Sequence, residues 1–402
     1  MACSSPPSTW YRGNLHTHTL WTDGDQFPEV ALQFYRDRGY DFVSISDHNL
    51  LADSERWLPV TGRPAREAAL AEYLRHFGSP WVEARRDSAG GTEVRLKRYE
   101  EYASRMESSS FLVIQSEEIT DIFGTRPLHV TATNVAAPIQ PQGGRSVTGV
   151  LQADIDAVRE QRLRTGRPMF AHVNHPNFGW AVTAEDLVPL QGVRFFEIYS
   201  GHPIVRMEGD AARPPVDRLW DIVLATRLSA GDSVLYGVAV DDAHNYGRFD
   251  SALANPGRGW VMVRAGLLNA DSIVAAMERG DFYASSGIQL EEVLATADRL
   301  TVRIRAEAGV SYTTQFVGTR RSYDRTNSAL PTVDGLPVTR RYSDDIGQVL
   351  AEVAGPNPSY RFAGDELYVR ARIRSTKAKA NPITRGEVEQ AWVQPVRPGG
   401  AR

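Results

Sequence analysis

Between Trp10 and about Gly287 one arrangement recurs seven times: a short apolar, β-branched run ends in polar side chains able to bind metal. The instances are "WYRGNLHTH", "YDFVSISDHN", "FLVIQSEEIT", "LHVTATN", "PMFAHVNHPN", "RFFEIYSGH" and "VLYGVAVDDAH". Several are nearly continuous apolar runs, as expected of strands covered on both faces in a parallel sheet. Helical stretches separate many of them. "FPEVALQFYRDRG" opens on Pro28 and stops at Gly39, and "SVTGVLQADIDAVREQRLRTG" spaces Val147, Val150, Leu151, Ile155 and Val158 helically before Gly166. "VDRLWDIVLATRL" and "NADSIVAAMERGD" read the same way. The alternation predicts an α/β fold, a βα-type barrel or a doubly wound sheet. The polar ends of its strands then converge on one face.

Two regions break this rhythm. Residues 51–110 carry Trp57, Trp81, a predicted helix near Arg66 to Phe77 and the flexible "DSAGG". They read as an insertion, either a cover for one side of the site or a scaffold elaboration that never meets substrate. After Gly287 the pattern changes period. In "LTVRIRA" Leu300, Val302 and Ile304 alternate with polar residues, and in "LYVRARIRS" Leu367, Val369, Ala371 and Ile373 alternate with Tyr368, Arg370, Arg372 and Arg374. Period two predicts half-exposed antiparallel strands. The expected organisation is a terminus over 1–9 without order, a barrel over 10–287, and a C-terminal β-sandwich-like domain over 288–402. The arginines of the last region read most simply as a solvated strand face.

Composition narrows the function. A net charge of −4 and the lack of any basic block give no field to gather nucleic acid, so an obligate nucleic-acid partner is not expected. No apolar run reaches the ~18 residues of a membrane span. Cys3 is the single cysteine, which excludes an internal disulfide and thiolate-rich zinc sites. "ACSSPPS" has the form of a lipid-attachment junction, so Cys3 is a candidate lipid anchor and the protein a candidate for export to the periplasm or envelope. A plain terminal segment is the alternative. The oligomeric state cannot be read.

Eight of the nine histidines (16, 18, 48, 129, 172, 175, 202 and 244) fall at or near predicted strand ends, and only His76 sits in the insertion. In "HTH" one spacer puts His16 and His18 on the same side of an extended chain. In "DDAH" Asp242 and His244 share a side while Asp241 points away. Between these pairs lie His48 in "SDHN", Glu117 and Glu118 in "SEEIT", His129, and His172 and His175 in "AHVNHP". Imidazole and carboxylate without thiolate suit zinc, manganese or iron.

The ordered set "NLHTH", "TDG", "SDHN", "EEIT", "H", "NHPN" and "DDAH" resembles the PHP superfamily, named for polymerase and histidinol phosphatase domains, over roughly residues 10–287. "RPMFAHVNHPNFGW", "FFEIYSGHP", "NPGRGWVMV" and "GDFYASSG" resemble its exported bacterial branch, grouped with carbaryl-hydrolase-like metallohydrolases. The resemblance implies a distorted seven-stranded (β/α) barrel, a C-terminal β region, and two or three divalent ions. Carried over by position, His16, His18, Glu118 and Asp242 match the first metal site. Glu118 also matches a carboxylate shared with a second site completed by His129 and His175. Asp23, His48 and His244 match a third, with Asp23 standing where some members have histidine. The same pattern favours Glu118 over Glu117 and His175 over His172. His172, Glu197, Asp47 and Asp241 are then expected behind the ligands.

The resemblance implies a trinuclear, metal-dependent phosphoesterase acting on a small phosphate monoester or diester through a metal-bridging hydroxide. Glu118, Asp242 and His202 are the catalytic candidates. His202 is either a proton donor to the leaving group or a hydrogen-bonded loop residue. Hydrolysis of a carboxylic or carbamate ester by the same centre is a second reading. A non-catalytic surface binding module is a third.

Overall fold

The computed structural model describes residues 9–399. Cys3 and "ACSSPPS", with the terminal reading of residues 1–8, lie outside the described residues. Thr9 already belongs to a strand, Thr9–Asn14, one residue earlier than the expected boundary.

The fold is mixed α/β around a thirteen-stranded sheet. All seven runs are strands, and they are neighbours in it, in the order Tyr236–Val240, Phe195–Ser200, Phe170–Val173, Arg126–Thr133, Leu112–Phe123, Phe42–Ile45 and Thr9–Asn14. Tyr236–Val240 and Thr9–Asn14, the two ends of that run, share no ladder. Beyond these strands they meet at one parallel bridge, Thr17 with Ala243, where the His18 amide donates to the Ala243 carbonyl at 2.9 Å. The edge that barrel closure would use is taken instead by Trp260–Ala265, antiparallel to the first strand from Thr9↔Ala265 to Gly13↔Val261. The sheet therefore curls until its strand ends meet without a continuous ring of hydrogen bonds.

It is also not all parallel. Leu112–Phe123 and Arg126–Thr133 form a hairpin through Gly124, and Phe170–Val173 is antiparallel to the second arm. "LHVTATN" therefore presents His129, near its start, to the face where its neighbours present their ends. Apolar periodicity carries no strand direction, and a hairpin reverses the useful end.

The helices form where expected. Pro28–Asp37 begins on Pro28, and Val147–Thr165 is capped by the Ser146 hydroxyl and closed by left-handed Gly166. The 51–110 region folds into helix Pro64–Phe77, a three-stranded sheet and helix Tyr99–Met106. It packs on helix Pro28–Asp37, where buried Glu29 accepts from the Tyr73 hydroxyl and the Trp81 indole.

The C-terminal strands continue the large sheet: Val388–Val396 pairs with Phe282–Ser285, and then Glu366–Ala378, Tyr312–Arg320 and Gln348–Ala354 follow. A separate three-stranded sheet, containing Leu290–Ala295 and Arg299–Ile304, shares one core with Phe316, Val369, Ala371 and Val393. The opposite face of the same strands meets helix Val216–Ser229. The expected solvated arginine face is corrected there. Arg370 is 1% exposed, its guanidinium hydrogen-bonded to Asp221 at 2.8 and 2.7 Å and ion-paired with Asp217 at 2.9 Å. A helix supplying two carboxylates makes this arginine an interior residue, while Arg374 further along stays exposed.

Candidate metal centre

One end of the curled sheet gathers His16, His18, Asp23, His48, Glu118, His129, His175, Asp242 and His244. Backbone bonds between neighbouring strand ends hold them there. The Asp242 amide donates to the His16 carbonyl at 3.1 Å, the Glu118 amide to Ser46 at 3.1 Å, and His48 bridges to Glu118 in parallel register. Asp242 sits at φ +51°, a left-handed conformation uncommon for a side-chain-bearing residue. The strand ends at Val240, so a turn rather than strand alternation separates Asp241 from Asp242.

The donor atoms fall into three groups. His16 Nε2 and His18 Nε2 stand 3.0 Å apart, and Glu118 Oε2 lies 3.4 and 3.3 Å from them. Asp242 Oδ1 approaches the same nitrogens at 3.4 and 3.3 Å. Donors sharing one cation at about 2.1 Å stand roughly 3.0–3.5 Å from their neighbours, so this spacing fits an ion. Glu118 turns its other oxygen to a second group, with Oε1 2.8 Å from His129 Nδ1 and 3.5 Å from His175 Nε2. In the third, Asp23 Oδ2 lies 3.3 Å from His48 Nε2 and 3.4 Å from His244 Nε2. His18 joins this group as well: its Nδ1 is buried, has no hydrogen-bond partner and lies 3.7 Å from Asp23 Oδ1. The sequence reading gave His18 to the first group alone.

The electrostatics match the donor set. Burial would push Glu118 and Asp242 up, but the surrounding imidazoles hold both carboxyls well below the usual range. Burial and the adjacent His244 hold His18 down at about 3, so its ring is neutral and one of its two nitrogens has a lone pair to share. His48 goes the other way: burial lowers it, yet Asp23 and Glu118 raise it to about 10. Carboxylates that draw protons onto imidazole this strongly supply the field that binds a cation.

Behind the donors stands a supporting layer. Glu197, fully buried, accepts from His16 Nδ1 at 2.7 Å and from the His175 amide at 3.0 Å, an arrangement that leaves His16 Nε2 for the cluster. Burial raises its carboxyl, but His16 and His172 bring it down to about 2. His172 faces Glu197 at 3.4 Å and does not line the cavity. Asp241 points away, accepting from Asn14, Tyr35 and the amides of Gly257, Arg258 and Gly259. A Cβ on Gly259 would lie 2.7 Å from the Val240 carbonyl, so only glycine lets that loop approach. Asp47 accepts from Thr19 and Thr22, pinning the "HTHT" turn. Glu117, also buried, accepts from the Ile139 amide at 2.6 Å and does not line the cavity.

Seven of the nine donors, all but His16 and His18, line a cavity of about 380 Å³ walled further by Phe178, Ile204, Val205 and Thr120, with His202 at its side. No residue of 51–110 lines it. His76 lies on an exposed helix beside Glu72 and Arg75. Sequence reasoning missed Thr120, whose hydroxyl is 2.6 Å from His48 Nδ1, and Asn174, whose amide donates to Glu118 Oε1 at 2.7 Å. Asn174 stands between two histidines in "HVNHP", a placement that could have signalled it. Phe178 and Ile204 carry no such signal.

The class defined by fold and site is thus a mixed α/β protein with several histidine and carboxylate groups able to bind metal. No protein-family profile and no curated protein matches the chain. Among solved structures it is similar to a two-domain protein from Bacteroides vulgatus containing a predicted PHP-like metal-dependent phosphoesterase, at 14% identity over 97% of each chain with a TM-score of 0.41. It is also similar to a protein from Bifidobacterium adolescentis described as a "putative metal-dependent phosphoesterase", at 14% identity over 60% of this chain and 90% of that one, TM-score 0.31. An amidohydrolase from Chromobacterium violaceum with bound sulfate and no metal matches at 13% identity over 58% and 88%, TM-score 0.29.

Proposed function

We propose that the protein is a metal-dependent hydrolase of the PHP superfamily whose substrates are phosphate monoesters or diesters. The observation that carries this reading is Glu118, one buried carboxylate whose two oxygens serve two adjacent donor groups. A closed structural site has no use for such sharing, whereas neighbouring cations around one reacting centre do.

His16, His18, Glu118 and Asp242 would hold one ion, Glu118, His129 and His175 a second, and Asp23, His48 and His244 a third. When bound, such ions activate water at neutral pH and neutralise charge that develops on the ester. The chain supplies the rest. Glu197 and Asn174 fix the ligand geometry, and Phe178, Ile204 and Val205 keep water from the wall of the cavity. His202 Nδ1 accepts the Ile204 amide at 3.4 Å, and burial keeps the ring below its ordinary pKa. A neutral ring that accepts at Nδ1 carries its proton at Nε2, which makes His202 a donor suited to a leaving-group oxygen.

A second reading, hydrolysis of a carboxylic or carbamate ester, has one observation in its favour: among the described residues no lysine or arginine lines the metal-facing cavity. The carbaryl-hydrolase-like branch and export through a lipidated Cys3 belong to the same proposal and rest on the motifs alone. Elemental analysis of purified protein beside a panel of nitrophenyl phosphate, bis(nitrophenyl) phosphate, nitrophenyl butyrate and naphthyl carbamate tests the reading. We expect bound divalent metal and turnover of the phosphate esters, lost with a chelator. Metal-replete protein inert toward both phosphates at every pH would overturn it.

A further inference from the structure

A second cavity, about 470 Å³, adjoins the metal-facing one, and His202 lines both. One wall is the loop after Phe195–Ser200, with Arg206 and Glu208. The other belongs to the C-terminal region, with Arg374 and Arg385. The charged groups here are unlike those elsewhere at the junction. Lys379 is matched by Glu387 at 2.8 Å, as Arg370 is by Asp221. Arg206, Arg374 and Arg385 form no ion pair within 4.0 Å and donate no side-chain hydrogen bond among the described residues. Three free guanidiniums against the single unpaired carboxylate of Glu208 leave this concavity positive in a chain whose net charge is −4. Arg206 is also held at φ +58° with its guanidinium 5.0 Å from the Trp180 ring, so its place is imposed by the loop.

Guanidinium presents paired N–H donors suited to phosphate and carboxylate oxygens. Anchored on two separate parts of the chain, the three can close on an anion only where those parts meet, beside the metal-binding groups. We infer that the substrate carries a second anionic group, held by Arg206, Arg374 and Arg385 while its reacting ester lies against the metal-facing donors. This rests on the hydrolase reading and names its substrate class: small molecules with two anionic groups on one short scaffold. It also gives the C-terminal region a binding role.

The test uses full-length protein in two arms. In the first, ω-carboxyalkylphosphonates of graded length compete with nitrophenyl phosphate turnover by the metal-loaded enzyme, each paired with the alkylphosphonate lacking the carboxylate. The expected result is one length at which the carboxylate improves inhibition about tenfold or more. In the R374Q/R385Q double variant that advantage falls below about threefold, and in Glu208→Gln it grows. Both arginines are exposed, so circular dichroism serves as the check on folding, and Arg206→Gln tests the opposite wall. In the second arm, tripolyphosphate is titrated calorimetrically into chelator-treated protein. Binding that weakens about tenfold in R374Q/R385Q and tightens in Glu208→Gln supports the cavity even if no ester is turned over, which would sink only the hydrolase reading. Equal binding by wild type and variants, or none, overturns the inference, as does a carboxylate advantage absent at every length.

Discussion

Two buried charged clusters in this molecule are built on opposite rules. At the junction of helix Val216–Ser229 with the C-terminal strands, every charge meets its complement: Asp221 accepts from Arg370 and the Tyr368 hydroxyl, and Asp217 from Arg372 at 2.6 Å. At the metal-facing end the near neighbours are alike, imidazole nitrogens 3.0 Å apart with carboxylate oxygens around them. The first cluster is balanced in charge by protein groups. The second gathers donors that could hold a cation. Burial alone therefore does not separate structural charge from functional charge; what does is whether the charged groups pair off one to one or crowd several donor atoms around a common point.

The contrast can be broken most sharply at Asp242. Replacing it with alanine should cut ester turnover about a thousandfold or more and remove bound metal by elemental analysis, while chelator-treated variant and wild type unfold at similar denaturant concentrations. A large loss of stability in the metal-free state would mean that this cluster too is structural. Asp221→Ala should do the reverse. Leaving Arg370 buried and unpaired should lower unfolding free energy by about 3 kcal/mol in urea melts, with metal content unchanged. Glu197→Gln sharpens the comparison from behind the ligands: weakening the support of His16 Nδ1 should reduce metal affinity about ten- to a hundredfold, read by chelator competition.

The smallest effect concerns a charge belonging to neither cluster. Burial, and the field of Asp121, push Asp154 in helix Val147–Thr165 up to about 7, against the single Gln142 amide that it accepts at 3.0 Å. The folded protein then keeps a proton that the unfolded chain has lost, so stability falls as pH rises from about 4 to about 7. Asp154→Asn should flatten that part of the stability-pH curve and gain about 1–2 kcal/mol at pH 8 in denaturant titrations. An unchanged slope would remove Asp154 as its source.

Much of this was legible in the chain. Seven apolar runs gave seven strands because β-branched density needs two covered faces, and Pro28, Gly39 and Gly166 mark helix ends for stereochemical reasons. The histidines and carboxylates at strand ends come together because neighbouring strands bring equivalent positions side by side. Other features were hidden. The direction of "LHVTATN" depends on a hairpin, the burial of Arg370 on an aspartate far away in the chain, and the second face of His18 on how the turn carrying Asp23 folds back beside His48 and His244.

The sequence by itself determined which side chains are available for chemistry and that they sit at strand ends, since period and residue type are local properties. Only the tertiary structure decided what holds the neighbouring carboxylate of each pair away from the cluster. Asp241 is taken by the amides of Gly257, Arg258 and Gly259, and Glu117 by that of Ile139, so Asp242 and Glu118 are left facing the imidazoles. The reason is that an acceptor's role is set by the donors that reach it, and those arrive from distant parts of the chain.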